Sequence, residues 1–284
     1  MRYYIVDAFA DRPFGGNAAG VVLVEDATFP EEDLMLKVAA ELRYSETVFV
    51  LRLSPSEFQL RYFTPTAEVE LCGHATVAAF SLLHRLGLAE GHSLCHTLAG
   101  RLDIETGERV MMQMAVPRIV TTIDETAPLY HALGLDGYCP VMPVQVAYSG
   151  LSDIMLQVPD VATLNALQPD MEAVSALTKL HDVVSFHVFA LPALTHSHTA
   201  HVRNFAPLYG IPEESATGTS NAALTYYLQQ HGVVGAECDC SFVQGEAMGR
   251  PSVVETRLTA DGRVYVGGTA CVVAKGELLI DKEL

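Results

Sequence analysis

The sequence is short of positive charge. Its 284 residues include 17 lysines and arginines against 34 aspartates and glutamates, so the formal net charge at pH 7 is -17. Such a negative field keeps a protein soluble and repels phosphate backbones and anionic membrane surfaces, which argues against nucleic acid and membrane as partners. A small anionic substrate remains compatible, because the N-terminus of a helix is locally positive whatever the net charge.

Long apolar runs and paired cysteines are also missing. No stretch approaches the roughly 18 apolar residues that a membrane span needs, and the N-terminal MRYYIVDAFADRP has no apolar segment of the signal-peptide type. The six cysteines form no CxxC pair, and Cys238 and Cys240 are too close in sequence for an ordinary disulfide. We therefore expect reduced thiols in a cytoplasmic protein.

Tryptophan and the signatures of several enzyme classes are absent. Phenylalanine and tyrosine, 11 of each, still supply aromatic volume for the core of one or two globular domains. There is no GxSxG elbow, no Ser-His-Asp order and no GxGxxG after a strand, so hydrolase and dinucleotide-binding functions lack support. The Gly-rich FGGNAAG is not a P-loop either, because Val21 and Val22 follow Gly20 where that loop needs Lys and Ser or Thr.

What the sequence does contain is an internal repeat. The segment FTPTAEVELCGHATVAAFSLLHRLG, residues 63–87, resembles FAPLYGIPEESATGTSNAALTYYLQQHG, residues 205–232, once Gly73 is aligned with Gly218. Downstream, RLDIETGERVMMQM and TRLTADGRVYVGG each read as a hairpin around a Gly turn. Matches that recur in the same order predict two duplicated α/β halves.

Local patterns assign secondary structure to both halves. Apolar spacing predicts helices at 75–86 and 220–230, each followed by a Gly suited to a left-handed C-terminal cap. Further predicted elements are an amphipathic helix at 31–43 and strands at 2–9, 20–24 and 46–52. A crossing at 119–130 would divide the chain into an N-terminal half, 1–118, and a C-terminal half, 119–270, with a last strand near 271–284 returning to the first half.

The two predicted helix starts are the first candidate binding groups. Cys72-Gly73-His74 and Thr217-Gly218-Thr219 each open a helix, where backbone N–H groups have no partner within the helix. Two such ends facing one cleft would hold a carboxylate without Arg or Lys. The alternative is that the glycines only allow a loop to pack tightly against a helix, and the duplication favours the ligand.

Single residues suggest acid–base chemistry. His74 would lie in a first helical turn, where the helix dipole disfavours the protonated imidazole and leaves a group able to donate or accept a proton. Glu46 opens a predicted strand, and burial there would favour its uncharged form and suit general acid–base catalysis. Taken alone, each is more often a packed or solvated side chain.

Other polar residues have an ordinary structural interpretation beside a functional one. Glu213 and Glu214 precede the second helix and would by default stabilise its N-terminus, although one of them could act on a substrate. Asn17, in the Gly-rich turn, could hold a polar substrate group or serve the turn conformation.

A histidine group in the second half invites a metal interpretation. His196 and His198 would share one face of a strand and could chelate, whereas His201 would fall on the other face. No acidic or Cys ligand lies nearby in sequence, so surface residues are the better interpretation.

These segments together resemble a known family. DAFADRPFGGNAAGVVL, SETVFV, RYFTPTAEVELCGHAT, VRNFAPLYGIPEESATGTSNAAL and QGEAMGRPS follow one another as in the phenazine-biosynthesis PhzF-like isomerases, over nearly the whole chain. The resemblance implies the mixed α/β, or α+β, diaminopimelate epimerase-like fold: two pseudo-symmetric halves, each a curved, barrel-like mixed β-sheet around a central helix, with the active site between them. It also implies a homodimer that needs neither a metal nor an organic cofactor.

The resemblance assigns roles to residues. It implies that Glu46 is the general acid–base of a proton transfer that migrates a double bond, a tautomerisation, on a small anionic, carboxylate-bearing substrate. His74 and Glu214 would be the other catalytic groups. The substrate-binding positions would be Asn17, Gly73, Gly218 and Thr219.

Two positions depart from the family pattern and leave alternatives open. The family commonly has Asp at the position of Glu214 and Ser at that of Thr219, so the dihydro-hydroxyanthranilate of phenazine synthesis need not be the substrate. One alternative is an epimerase or racemase of an amino or hydroxy acid assisted by Cys72. A two-thiol mechanism is disfavoured, because Thr217 stands where the second Cys would be. Another alternative is a non-catalytic protein that binds small carboxylates.

Overall fold

The chain folds into two compact units. A computed structural model describes residues 1–192 and 197–280. Unit 1 consists of Met1–Gln113 and Gly267–Leu284, and unit 2 of Met114–Val266. Both units are built mainly from strands, in the mixed α+β architecture that the family resemblance implied. Among the helices of the described ranges, none is both long and apolar enough to cross a membrane.

Unit 1 pairs nine strands with two helices. The helices are α1, Glu32–Leu42, and α2, Gly73–Arg85. The strands are β1 Arg2–Ala8, β2 Asn17–Val24, β3 Thr47–Ser54, β4 Glu57–Phe63, β5 Glu68–Val69, β6 Gly91–Thr97, β7 Gly100–Thr106, β8 Val110–Gln113 and, from the end of the chain, β18 Ala270–Glu277, which pairs with β1.

Unit 2 holds the remaining elements. The helices are α3 Ala127–Ala132, α4 Val161–Ala166, α5 Met171–Leu180 and α6 Gly218–Gln230. The strands are β9 Arg118–Thr122, β10 Gln145–Tyr148, β11 Ser152–Gln157, β12 Ser185–Ala190, β13 Ala200–Ala206, β14 Ile211–Glu214, β15 Cys238–Gln244, β16 Ser252–Leu258 and β17 Val264–Gly268, whose last two residues belong to unit 1.

Strand pairing repeats from one unit to the other. In unit 1, β1 to β4 pair in sequence as antiparallel, parallel and antiparallel; β4 then pairs with β5 antiparallel and with β6 parallel, and β6 with β7 antiparallel. In unit 2, β10 to β16 repeat that series of orientations in the same order. The repeat predicted from sequence is therefore a repeat of topology.

Each unit is built around one central helix. Nine of the thirteen residues of α2 are buried, and so are nine of the thirteen of α6, whereas α1 buries only three of eleven. A helix buried around most of its circumference must lie inside a fold rather than on its surface. The predicted helices at 75–86 and 220–230 are thus confirmed as the central helices, each starting two residues earlier.

An Arg–Glu pair recurs at the same place in both units. Arg61 in β4 bonds Glu68 in β5 through Nε and Nη2, both at 2.6 Å, and Arg203 in β13 bonds Glu213 in β14 through the same atoms, both at 2.8 Å. Each guanidinium also lies over the ring of the phenylalanine two residues later. The expectation that Glu213 stabilises a helix N-terminus is wrong, because Glu213 lies in a strand and its carboxylate is hydrogen-bonded to Arg203.

The QGEAMGRPS segment depends on glycine at one position. Gly245 follows β15 with φ of 76°, and a Cβ there would clash with the carbonyl oxygen of Arg250 and lie 2.8 Å from that of Ser215. The bare backbone therefore lets this turn pack against the segment that leads into α6.

We expect Gly245→Ala to destabilise the protein by roughly 3 kcal/mol, because strain at positive φ is added to a backbone clash. The matched control is Gly249→Ala, at φ of 68° with no atom within 4 Å of the added carbon, which should lose only about 1 kcal/mol. Urea unfolding of both variants measures the difference. Equal losses in the free energy of unfolding would show that the close backbone approach at Gly245 does not contribute to the effect.

Candidate functional site

Glu46 is held at the edge of unit 1 where two parallel strands begin. It directly precedes β3, and its carbonyl oxygen accepts a hydrogen bond from the N–H of Gly20 in β2 at 3.1 Å. A Cβ on Gly20 would lie 2.7 Å from the hydroxyl of Thr47, so glycine allows the two strands to meet at this point. Asn17 opens β2 at the same edge and is buried. It pairs with Ala8 in a ladder, so its expected place in a turn is wrong.

The start of α2 is fixed by a buried hydroxyl chain. Cys72 is the N-cap, in extended conformation, and no side chain among the described residues caps the helix. Thr76 donates its hydroxyl to the carbonyl oxygen of Cys72 at 2.7 Å, and the hydroxyl of Tyr62 lies 2.7 Å from that of Thr76. Tyr62 and Thr76 are fully buried. These buried contacts therefore hold the first turn of α2, with Gly73 and His74, in place.

Glu46, His74 and Cys72 form one cluster. His74 Nε2 lies 3.3 Å from Glu46 Oε2, and His74 Nδ1 lies 3.3 Å from Cys72 Sγ, so the imidazole bridges the carboxylate and the thiol. The side chains of Glu46 and His74 are 19% and 9% exposed, and Cys72 is 7% exposed. Groups this close and largely shielded from bulk water suit proton transfer.

One carboxylate oxygen of this cluster is buried without a hydrogen bond. Oε2 of Glu46 is inaccessible to water, and no donor among the described residues meets hydrogen-bond geometry with it, His74 included. Leaving a buried acceptor unsatisfied costs about 1–3 kcal/mol, more for a charged group. Such an atom calls for a specific explanation, and a catalytic role is one of the few.

The same three side chains also have the chemistry of metal ligands. One ligand atom from each of Glu46, Cys72 and His74 lies within 4.8 Å of the others, the only such group among residues 1–192 and 197–280. A carboxylate, a thiolate and an imidazole are ligands that Zn²⁺ accepts. The set therefore fits a divalent cation as well as a proton relay, and only removal of metal separates the two.

In unit 2, the start of α6 is clamped by Gln244. Thr217 is the N-cap, and its N–H donates to Gln244 Oε1 at 3.1 Å, while Gln244 Nε2 donates to the hydroxyl of Thr217 at 3.0 Å and to the carbonyl oxygen of Glu214 at 2.8 Å. Gly218 and Thr219 follow as the first two helical residues. Glu214 itself ends β14, ahead of α6 as expected, and is half-buried.

A fully buried carboxylate lies beneath the same helix. Asp153 in β11 accepts hydrogen bonds from Ser185 at 2.6 Å and from Ser220, in the first turn of α6, at 2.7 Å. The Nδ1 atom of His187 lies 3.2 Å from Asn204 Nδ2, and its Nε2 atom lies 3.3 Å from the side-chain oxygen of Asn221. Burial raises the pKa of Asp153 to about 6 and lowers the pKa of His187 to about 4.

The structure also shows the contacts of the other histidines considered in the sequence, and the state of the cysteines. His201 Nδ1 bonds Glu246 at 2.7 Å and His198 Nδ1 bonds Ser241 at 3.2 Å, so each has a protein partner, and His196 lies outside the described residues. All six cysteines are described, and none forms a disulfide.

Several of these site residues carry no signal in the sequence. Asp153 and His187 stand in apolar runs, SDIMLQ and SFHVFA, that predict only buried strands. The contact of Cys72 with His74 could have been anticipated from their spacing at a helix start, but its orientation toward Glu46 depends on how α2 packs against β3.

Asp153 and His187 should have opposite effects on stability between about pH 4 and pH 6. The folded state binds the Asp153 proton more tightly than the unfolded chain, so the contribution of Asp153 falls as the pH rises from 3.8 to about 6. It binds the His187 proton less tightly, so the contribution of His187 rises from about pH 4 to 6.5. Relative to the wild type, Asp153→Asn should gain stability as the pH rises through this window, and His187→Gln should lose it.

Urea unfolding across the window, at constant ionic strength, measures both slopes. Parallel curves for the wild type and either variant would contradict the expectation, because they would mean that the group titrates alike in the folded and unfolded states.

Comparison with known proteins identifies the family. The model of the PhzC-PhzF family, described as phenazine biosynthesis-like protein, matches residues 6–276. The uncharacterized isomerase YddE of Escherichia coli K12 is 35% identical over 297 residues, covering 99% of each chain. The trans-2,3-dihydro-3-hydroxyanthranilate isomerase of Pseudomonas chlororaphis is 30% identical over 294 residues, covering 98% of this chain and 99% of the relative.

A solved structure has the same fold. The crystal structure of a PhzF-family phenazine biosynthesis protein from Bacillus anthracis superimposes with a TM-score of 0.88 at 26% identity, covering 99% of each chain. The repeated topology, the two central helices and the full-length match agree with one another, and the chain belongs to the phenazine biosynthesis-like PhzC-PhzF family of isomerases.

Proposed function

We propose that this protein is a cofactor-independent isomerase in which Glu46 removes a proton from a small carboxylate-bearing substrate and returns it at another atom. The observation that carries the proposal is the buried Oε2 of Glu46, which has no hydrogen-bond donor among the described residues and lies 3.3 Å from His74 Nε2. An acceptor left unsatisfied in the folded protein indicates a carboxylate kept for function rather than for stability, and it lies close enough to the imidazole to share a proton with it.

Each step of the reaction is a proton transfer. Glu46 takes the proton from a carbon next to an electron-withdrawing group, the electron pair shifts the double bond, and the carboxylic acid so formed gives the proton back at the new position. His74 keeps the carboxylate oriented and can share the proton through Nε2, because the two atoms are already in contact. Atoms and electrons balance without an oxidant or a reductant.

The groups assigned to substrate binding are the side chain of Asn17, the backbone N–H groups of Gly73, Gly218 and Thr219, and Glu214 as a further carboxylate. N-terminal N–H groups of a helix bind anions, which suits a substrate carboxylate. The assignment follows the family resemblance, and so does the homodimer. The cytoplasmic location follows from the expectation of reduced thiols.

The relative from Pseudomonas chlororaphis supplies the first substrate to test. Its name assigns it trans-2,3-dihydro-3-hydroxyanthranilate, a small ring that carries a carboxylate and an amine. Glu214 and Thr219 differ from the Asp and Ser expected from the family pattern, so a panel of amino and hydroxy acids is needed beside this compound.

Glu46→Gln should abolish isotope exchange. We expect the rate of deuterium incorporation from D₂O into the substrate to fall by at least about 10³-fold, because the amide cannot accept the proton. Proton NMR measures the rate, and calorimetry with 3-hydroxyanthranilate, an aromatic analogue of the first substrate, checks that binding survives.

The matched control is Glu57→Gln, a carboxylate of unit 1 that contacts His96 Nε2 at 2.7 Å but is 40% exposed. It should leave the rate unchanged. Retained exchange in Glu46→Gln would remove Glu46 from the mechanism, and binding without exchange in the wild type would favour a non-catalytic carboxylate-binding protein. Dialysis against a chelator should also leave the rate unchanged; its loss would indicate a metal at the Glu46, Cys72 and His74 cluster.

A second candidate function is an epimerase in which Cys72 assists. The observation that favours it is the 3.3 Å contact between Cys72 Sγ and His74 Nδ1, which gives the thiol a neighbouring base. A thiol on one side of a carbon and Glu46 on the other would invert an amino or hydroxy acid.

Cys72→Ala separates the two functions. Under the leading proposal we expect double-bond migration to stay within about tenfold of the wild type, since Glu46 carries the proton. Polarimetry on the panel measures inversion. An activity that inverts a stereocentre and vanishes in Cys72→Ala, but not in the exposed-thiol control Cys139→Ala, would establish the epimerase instead.

A further inference from the structure

Strand registers place a serine of unit 2 at the position that Glu46 has in unit 1. Thr47 faces Phe63 across β3 and β4, and Phe186 faces Phe205 across β12 and β13. The repeat aligns the two phenylalanines at the ends of β4 and β13 with each other. The residue before Thr47, which is the proposed general base, therefore corresponds to Ser185. Unit 2 has no carboxylate at that position.

Unit 2 instead has a carboxylate on the neighbouring strand. Asp153 faces Ser185 in the parallel register of β11 and β12 and is 1% exposed. Both of its oxygens accept hydrogen bonds, Oδ1 from Ser185 and Oδ2 from Ser220. This is the reverse of Glu46, whose buried Oε2 has no donor among the described residues. A carboxylate with both oxygens satisfied is suited to hold the surrounding side chains in place.

The serine hydroxyls around Asp153 have an assignable direction. An ionised carboxylate can only accept, so Ser185 and Ser220 each donate their hydroxyl hydrogen to Asp153. Asn204 Nδ2 lies 2.7 Å from Ser185 Oγ, 3.2 Å from Ser220 Oγ and 3.2 Å from His187 Nδ1, so its two hydrogens are shared among three acceptors. The ionised carboxylate of Asp153 is therefore the acceptor that the two serine hydroxyls share.

The network continues to the first turn of α6. His187 Nε2 lies 3.3 Å from Asn221 Oδ1, which can only accept, so Nε2 carries the hydrogen and Nδ1 faces Asn204 Nδ2 as an acceptor. Asn221 Nδ2 in turn donates to the carbonyl oxygen of Thr217 at 2.9 Å and to Gln244 Oε1 at 3.0 Å. The hydrogen-bond network that includes Asp153 thereby fixes Ser220 and Asn221 near the start of α6.

We infer that Asp153 is a positioning residue, which fixes the first turn of α6 through Ser220 and Asn221 and so holds Gly218 and Thr219 for the substrate carboxylate. The inference rests on the proposed function for the role of Gly218 and Thr219. Asp153 is fully enclosed and acts through α6, without contact with the substrate. Each unit thus has a carboxylate beside the start of its central helix: Glu46, proposed as the reactive group, and Asp153, which supports the helix start.

The test is Asp153→Asn, which keeps the shape but replaces one acceptor oxygen by a donor, so that one serine hydroxyl must turn away. We expect the amides of Gly218 and Thr219 to exchange with D₂O about tenfold faster than in the wild type, read by NMR. With trans-2,3-dihydro-3-hydroxyanthranilate as substrate, KM should rise about tenfold while kcat stays within about threefold, because misplaced binding groups weaken binding without removing the base.

The matched control is Thr178→Val, which removes a buried hydroxyl of unit 2 that lies in α5 rather than α6 and donates to the carbonyl oxygen of Ser175 at 3.0 Å. It should lower stability but leave both amides and KM unchanged. Ser220→Ala is the second variant: it removes the link to α6 while keeping Asp153, and should reproduce the faster exchange even if Asp153→Asn fails to fold.

The outcomes separate this inference from the proposed function. Unchanged exchange at Gly218 and Thr219 in both Asp153→Asn and Ser220→Ala overturns the positioning role. A fall in kcat at constant KM overturns it too, since it would place Asp153 in the chemistry. If the wild type neither turns over nor binds the compound, the choice of substrate fails, while the exchange of the two amides still decides whether Asp153 fixes the turn.

Discussion

The contact between Glu46 and His74 is the interaction on which the functional interpretation of this fold depends. It exists because β2 and β3 run parallel and meet at Gly20, so that the residue before β3 is bonded to β2 and directed toward the start of α2. The helix start is itself fixed by Thr76 and Tyr62 beneath it. A carboxylate oxygen is thereby buried beside an imidazole without a donor, which folding alone would not favour.

The two units show how one architecture serves two tasks. They share the order of strand pairing, a central helix and an Arg–Glu pair, yet differ in the polar groups below the helix start. In unit 1 the carboxylate faces a histidine and a thiol and stays unsatisfied. In unit 2 Asp153 is enclosed by hydroxyls and amides that satisfy it. The proposed difference between a reactive Glu46 and a supporting Asp153 is therefore one of hydrogen-bond donors, not of fold.

Much of the fold was predictable from local pattern. Helices α1, α2 and α6, the hairpins around Gly turns and the repeat all follow from the spacing of apolar residues and from turn chemistry, which act over a few residues. Helices α3, α4 and α5 were not predicted. Glu213 was misplaced because its partner, Arg203, is ten residues away in sequence and meets it only through the pairing of β13 with β14. Asn17 was misplaced because a Gly-rich segment gives no sign of where the ladder with β1 starts.

The sequence by itself determined the family, the repeat and the residue types at the site, because motifs such as SETVFV and LCGHAT are contiguous. Only the tertiary structure decided which of those residues act together. Glu46 and His74 are 28 positions apart, and Asp153 and Ser220 are 67 apart. Such contacts depend on strand register and on how a helix packs on a sheet, and a shift of one residue would turn each side chain to the other face.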